Sequence, residues 1–208
     1  GDEIAMANFP MEGPEEIADI ESRNGFTYLV EEQGISPAAA FERVKNNARD
    51  HGRTPMQWSD APHGGFCDPT VDPWYPVNPD HQAWSVAAQE RCDEFSPAEP
   101  VDPAAGVRAR SVLCFFRALF ALRRRHPALP RGAFAALPVD QFSTVLAFVR
   151  QERGEQWVVV ANLSDDPARW RPVATARRPV LANYEDRTAP LGREDLELRP
   201  WEVVVFRA

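Results

Sequence analysis

Two arginines in a short loop are the residues of this chain best suited to chemistry. Arg49 and Arg53 enclose Gly52 in the stretch R-D-H-G-R-T-P-M-Q-W, residues 49–58. Glycine can adopt backbone angles closed to other residues, and the T-P dipeptide is restricted to extended geometry. We therefore expect a rigid, irregular loop that holds guanidinium groups for a polar ligand and ends in an aromatic anchor at Trp58. The alternative is an ordinary loop whose arginines meet surface carboxylates.

This stretch resembles the loop that follows the last barrel strand in the α-glucosidase branch of glycoside hydrolase family 13, which includes the oligo-1,6-glucosidases. Further motifs resemble that branch in the same order: G-D-E-I-A-M at residues 1–6, D-I-E at 19–21, H-G-G-F at 63–66, P-V-N-P at 76–79, S-V-L-C-F-F-R at 111–117 and R-R-R-H-P-A-L at 123–129. Motifs that recur in a fixed order are a much stronger signal than one motif alone, so together they indicate the family.

The resemblance implies an α+β chain with two parts. Residues 1–129 would be the C-terminal end of a (β/α)8 barrel, including the active-site loop and the last barrel helix. Residues 130–208 would be an antiparallel all-β sandwich domain, which closes with R-P-W-E at 199–202. The pattern agrees, because short runs rich in Val, Leu, Phe and Trp follow residue 131 and are separated by turn residues.

The clearest helix of the sequence starts at Ser111, a favourable N-cap, and ends before Pro127. Its apolar positions follow helical spacing and include Phe115, Phe116 and Phe120. In the resemblance this is the eighth barrel helix, and most of the sheet that would cover it is absent. We therefore expect this aromatic face to be left uncovered.

Members of the family cleave by the retaining two-carboxylate mechanism. By resemblance the nucleophile Asp, the acid Glu and a third Asp follow earlier barrel strands, so all three would precede Gly1. The chain starts without an initiator Met and within a motif, so we expect the tail of something longer. We assign no catalytic residue, although Asp2, Glu3 and Asp50 are the acids to consider. For Glu3 the two interpretations are orientation of a leaving sugar and an ion pair at the barrel rim, and we favour the ion pair. Asp50 fits hydrogen bonds to the backbone of its own loop.

Arg49 is the one residue that the resemblance assigns to substrate binding. The first arginine of R-D-x-x-R lies at the floor of the glycone pocket in the family, where it pairs with an early barrel Asp and holds the non-reducing glucose. A planar guanidinium suits this task because it can grip a carboxylate while a spare N–H reaches a sugar hydroxyl. Arg53 is expected to brace the loop, and His63 to be a hydrogen-bonded loop histidine.

Composition argues against several classes of function. The net charge of −8 disfavours nucleic-acid binding, and no apolar run has the length of a membrane span. Cys67, Cys92 and Cys114 have no metal-ligand spacing and are expected to be free thiols in a reducing, cytoplasmic compartment. We therefore predict no metal site, no cofactor, no nucleic acid and no membrane partner.

The function implied is that of a C-terminal part of a retaining, exo-acting α-glucosidase, inactive alone, whose partners are an oligosaccharide or disaccharide substrate and the missing N-terminal barrel portion. The alternative is a non-catalytic carbohydrate-binding or scaffold module. The proline-rich stretch 62–103 holds Trp74, Tyr75 and Trp84, which are either sugar-stacking platforms or plugs onto the domain beneath, and we favour plugs. Residues 89–110 exceed the link expected at this place and receive no role.

Overall fold

The computed structural model divides the chain into two compact units, Gly1–Arg91 and Cys92–Ala208. The described residues of the first unit form helices, and all the described strands lie in the second unit together with two helices. The structure describes residues 1–90, 107–108, 111–173, 176, 179–184 and 186–208. The segment 89–110, which the sequence leaves without a role, falls mostly outside the described residues. The boundary expected at residue 129, which concerns the domains of the family, stays a prediction.

The described residues of the first unit form three α-helices, Ile20–Glu31 (α1), Pro37–Val44 (α2) and Val86–Glu90 (α3), and short 3-10 helices, four of which lie between α2 and α3. Side chains cap the first two helices: Asp19 accepts from the Ser22 N–H, and Ser36 from the Ala39 N–H. Such caps satisfy amide groups that have no partner within the helix. Helix α1 runs through Gly25 without a break, although glycine could have ended it.

The core of the first unit is small and partly aromatic. Met11, Ile17, Phe41, Ala48 and Tyr75 form its buried cluster. The Tyr75 ring packs edge-on against Phe9, with ring centroids 5.4 Å apart. Plugging is thus confirmed for this aromatic of the proline-rich stretch. It is wrong for the two tryptophans, since Trp74 is 71 % and Trp84 45 % exposed.

The described residues of the second unit form eight strands and two helices. The strands are Val107–Arg108 (β1), Ala133–Ala136 (β2), Val145–Glu152 (β3), Glu155–Asn162 (β4), Ala168–Trp170 (β5), Pro179–Ala182 (β6), Leu196–Leu198 (β7) and Val203–Arg207 (β8); the helices are Val112–Arg125 (α4) and Ala128–Arg131 (α5). One sheet has the order β1-β6-β8-β4-β3-β2, and β5 pairs with β7 in the other. The pairs are antiparallel except β1 with β6, which is parallel.

Both faces of the large sheet are covered at its centre, and this explains the continuous apolar runs of β4 and β8. On one face Val158, Val160 and Phe206 join residues of the small sheet, such as Trp170 and Leu198, in the larger core. The opposite face carries Trp157, Leu181 and Val205 into a second cluster. A strand that is buried on both faces is apolar at every position instead of alternating.

Helix α4 supplies the cover of that second face. Its N-cap is Ser111, as predicted, whose side chain accepts from the Cys114 N–H. Its residues Ala118 and Leu122 are buried in the cluster with Trp157, and Phe115 packs against it. The expectation that the whole aromatic face is uncovered is therefore wrong, because the β-sheet of this chain covers one side of the helix. Phe120 stays 51 % exposed and pairs with Phe116.

A buried carboxylate, that of Glu202, lies near the C-terminal end of the second unit. Glu202 is fully buried, and Arg187 grips it with two hydrogen bonds of 2.6 and 2.7 Å. Arg199 adds a side-chain bond of 3.0 Å and a backbone bond of 2.8 Å to the same carboxylate. Burial raises the pKa of Glu202, but these donors outweigh burial and lower it from 4.5 to about 2. The closing R-P-W-E motif thus encodes a structural ion network.

The helices and cysteines of the described residues bear on two of the sequence predictions. Within the described part of the chain, no helix has the length and apolar character that crossing a membrane requires. Neither Cys67 nor Cys114 takes part in a disulfide bond, and Cys92 falls outside the described residues. Cys114 is buried on α4, which agrees with a packing role.

The two sides of α4 give a stability prediction. We expect Leu122→Ala to lower the free energy of unfolding by about 2–4 kcal/mol, because it empties a site between helix and sheet. Phe120→Ala on the exposed side should cost less than about 1 kcal/mol. Urea denaturation followed by circular dichroism measures both, and equal losses would contradict the packing of α4 on the sheet.

The Glu202 network gives a pH prediction. Since the folded pKa is depressed, the stabilisation is complete above the unfolded value of 4.5 and is lost as the pH falls towards about 2. A shift of this size corresponds to roughly 3 kcal/mol. Glu202→Gln should therefore be much less stable than wild type at pH 7, with a gap that narrows below pH 4.5. Glu197→Gln, which changes an exposed pair with Arg169, is the control, and a gap independent of pH would refute the assignment.

Candidate functional site

The arginine loop is a short 3-10 helix, Arg49–Arg53, with an extended exit at Thr54 (φ −61°, ψ 146°). The extended exit agrees with the prediction from the following proline. The special role expected of Gly52 is wrong, because it is not among the residues with positive φ and a Cβ there would meet open space. The conformation is therefore set by contacts of side chains and not by glycine.

The anchor of the loop exit is Gln57 and not the aromatic residue beside it. Gln57 is fully buried and its Nε2 donates to Asp80 at 2.6 Å, whereas Trp58 is 50 % exposed. Gly64 accepts from the N–H groups of residues 58 and 59 at 2.8 and 2.9 Å. It has φ +64°, and a Cβ would approach Val77 to 3.2 Å, so glycine is required here. The H-G-G-F and P-V-N-P motifs thus hold the exit of the arginine loop.

Asp50 ties the loop to the start of helix α1. It is fully buried, and its Oδ2 accepts from the N–H groups of Ala18 and Asp19, both at 3.0 Å. The expected partner was the backbone of its own loop, and that is corrected here: the bonds reach a segment 31 and 32 residues away. Because a buried carboxylate requires such donors, this contact fixes the position of the loop on α1.

Arg53 braces the loop, as predicted. Its guanidinium lies 3.1 Å from Asp19 and 3.5 Å from Asp50, and both carboxylates are buried. Hydrogen bonds from Ser22 are the main cause that lowers the pKa of Asp19, and the nearby charges of Arg53 and Arg49 lower it further. Both carboxylates therefore help to hold the arginine loop in place.

Arg49, the predicted substrate-binding residue, points into solvent from this braced loop. Its Nη2 is 2.7 Å from Oε2 of Glu21, and the two side chains are 67 % and 71 % exposed. An exposed ion pair contributes only about 0–1 kcal/mol, so the guanidinium is free to turn towards another partner. With five N–H donors, it can keep one carboxylate and still bind hydroxyl groups.

The other candidates are placed away from this cluster. Asp2 and Glu3 are exposed in a 3-10 turn, Asp2–Ile4. His63 has φ +53° and its Nε2 lies 3.3 Å from the carbonyl oxygen of Pro69, which fits a loop histidine. In the described residues, no group of three or more His, Cys, Asp or Glu side chains could hold a metal ion.

Sequence reasoning did not identify Glu21 as the partner of Arg49, nor Asp19 as a partner of Arg53. Asp19 and Glu21 belong to the D-I-E motif, and an acid in the first turn of a helix is ordinary because it suits the dipole. That ordinary role hid a second one, since the same turn presents one carboxylate to Arg53 and another to Arg49. Only the fold reveals this pairing.

The part of the chain that contains the arginine loop matches a known protein family. The family described as alpha amylase, catalytic domain, matches residues 1–132. The match covers more than half of the chain, and it contains the arginine loop together with the motifs that support it. The chain therefore belongs to the alpha-amylase family.

Individual relatives narrow the comparison. The chain is 30 % identical to an oligo-1,6-glucosidase from Parageobacillus thermoglucosidasius, over all of this chain and 34 % of that protein. It is 30 % identical to a glucan 1,6-alpha-glucosidase from Streptococcus dysgalactiae subsp. equisimilis, over 97 % of this chain and 33 % of that one. The isomaltulose synthase from Klebsiella sp. LX3 superposes with a TM-score of 0.80 at 27 % identity, over all of this chain and 34 % of the other. The chain thus spans about one third of the length of these relatives.

The role of Asp50 is testable by hydrogen exchange. Asp50→Ala leaves the amides of Ala18 and Asp19 without their acceptor. A lost bond of this kind costs about 2 kcal/mol, so we expect about thirtyfold faster exchange at these amides. NMR of the 208-residue chain measures the rates.

The matched control is Glu42→Ala, which removes an exposed pair with Lys45 in the same unit. It should leave the two amides unchanged. If Asp50→Ala also leaves them unchanged, Asp50 does not fix the loop.

Proposed function

We propose that this chain is the C-terminal part of a retaining, exo-acting α-glucosidase that hydrolyses α-glucosidic bonds of oligosaccharides or disaccharides. The catalytic carboxylates would come from the N-terminal portion of the barrel, one as nucleophile and one as acid and base. This chain would contribute Arg49 at the floor of the glucose pocket. The names of the relatives support α-1,6 bonds as the first substrates to test.

The observation that supports the proposal most is the exposure of the Arg49 side chain on a fixed loop. A guanidinium that is two-thirds exposed lies on a loop held by two buried carboxylates, and one weak ion pair restrains it. A rigid base with a mobile, many-donor tip suits the recognition of several hydroxyl groups. We propose that Arg49 binds the non-reducing glucose and that a carboxylate of the N-terminal portion joins or replaces Glu21 as its partner.

The remaining features complete the proposal. The two sheets that share the larger core support assignment of residues 130–208 as the C-terminal β-sandwich domain of the family. The exposed Phe116–Phe120 side of α4 supports a contact with the N-terminal barrel portion. We propose a cytoplasmic location because the cysteines have the pattern of free thiols.

Activity assays test the proposal. The purified chain should release no p-nitrophenol from the α-glucoside, and co-expression with the N-terminal barrel portion of the Parageobacillus oligo-1,6-glucosidase should restore turnover of isomaltose. Turnover by the chain alone would contradict the proposal. Absence of rescue would count against assembly from two parts.

In the restored enzyme we expect Arg49→Ala to lower kcat/KM about a hundredfold, which corresponds to the loss of a charge-assisted hydrogen bond or two. Arg43→Ala, a change at another exposed arginine of the same unit, is the control. An unchanged kcat/KM in Arg49→Ala would remove this residue from the site.

A further inference from the structure

Trp74 is an exposed aromatic side chain whose position is fixed. It is 71 % exposed, which is the largest exposed fraction of any tryptophan in the described residues. Its indole Nε1–H donates to the carbonyl oxygen of Arg53 at 2.9 Å. Phe66 meets the ring edge-on, with centroids 5.2 Å apart and planes 83° apart. Tryptophan is normally well buried, so a ring that is both exposed and doubly restrained calls for a reason.

The anchor of Trp74 connects it to the proposed sugar-binding arginine. Arg53 supplies the carbonyl group, and its own side chain binds the buried Asp19 and Asp50. Arg49 is at the other end of the same 3-10 helix. At a rise of about 2 Å per residue, the Cα atoms of Arg49 and Arg53 are about 8 Å apart, which is comparable to the length of a disaccharide. Trp74 is hydrogen-bonded to the second of these two residues.

The chemistry of the two groups is complementary. A guanidinium and a carboxylate bind hydroxyl groups, whereas an aromatic ring covers the apolar C–H face of a pyranose. A ring already held in place loses little conformational freedom on binding. The other exposed tryptophans of the unit, Trp58 and Trp84, have no anchor on the Arg49–Arg53 helix among the bonds described.

We infer that Trp74 is a specificity-determining residue that stacks on the second glucosyl unit of an α-linked oligosaccharide whose first unit is bound by Arg49. This inference rests on the proposed function of Arg49. It assigns the recognition of more than one glucose to this chain. Glucose alone reaches only Arg49, whereas isomaltose reaches both groups.

The experiment compares glucose with isomaltose on the 208-residue chain, labelled with ¹⁵N at the indole nitrogen of its six tryptophans. The Trp74 signal is assigned as the one absent in Trp74→Phe. Isomaltose should shift it saturably, and glucose should not. Affinities come from the sugar resonances in a saturation-transfer titration, which needs no tryptophan signal.

The variants separate the two roles. Trp74→Ala should weaken isomaltose binding about fivefold, as expected for one aromatic contact, and leave glucose binding unchanged. Trp74→Phe keeps a ring but loses the bond to Arg53, so it should lie between. Trp84→Ala, at an exposed tryptophan of the same unit, should bind as wild type does.

Three other results would each contradict the role of Trp74 or the role of Arg49. If Arg49→Ala loses both sugars while Trp74→Ala binds isomaltose as wild type does, the inference fails and the role of Arg49 stands. If Trp74→Ala loses isomaltose and Arg49→Ala loses neither sugar, Trp74 is a sugar platform and the role of Arg49 fails. If isomaltose does not bind saturably to the chain, the inference is overturned.

Discussion

The first unit depends on the burial of Asp50. Two backbone N–H groups donate to this carboxylate and the Arg53 guanidinium lies 3.5 Å from it, and the loss of any of these partners would leave a buried charge less well stabilised. Helix α1, the arginine loop and the carbonyl group that holds Trp74 are positioned relative to one another through this contact. A site at the surface is therefore defined by an interaction beneath it.

The second unit solves a similar problem with Glu202. There the donors are two arginines and one amide, and a tyrosine ring lies 3.9 Å beneath the guanidinium carbon of Arg199. In both units the acid is buried and the arginine is partly exposed, which is favourable because a guanidinium is less strongly hydrated than an ammonium. The difference lies in use: the first network orders a loop that presents Arg49, whereas the second one closes the end of a sheet.

Local features of the fold could be predicted from the sequence. Ser111 caps its helix where expected, and apolar runs that follow residue 131 form strands, among them β3, β4, β6 and β8. These features depend on neighbours along the chain. Strands β5 and β7 have three residues each, which is too short a pattern to detect in a sequence.

Contacts between distant segments could not be predicted in the same way. The sequence singled out Arg49 and Arg53, but it gave Asp50 the wrong partner and Glu21 none. The chemistry of an aspartate says that it needs donors and does not say which of many amides will supply them. Likewise an aromatic side chain among prolines is compatible with a buried plug or an exposed platform, and only the fold separates Tyr75 from Trp74.

The two-sided character of helix α4 affects how relatives of this chain can be recombined. A hybrid joined at the end of α4, where the family pattern changes from helix to strands, would place Trp157 of one parent under Ala118 and Leu122 of the other. Side chains that pack together in one parent would then meet different partners between the helix and the sheet. A junction before β1 avoids this mismatch, because β1, helix α4 and the other strands of the large sheet then come from one parent.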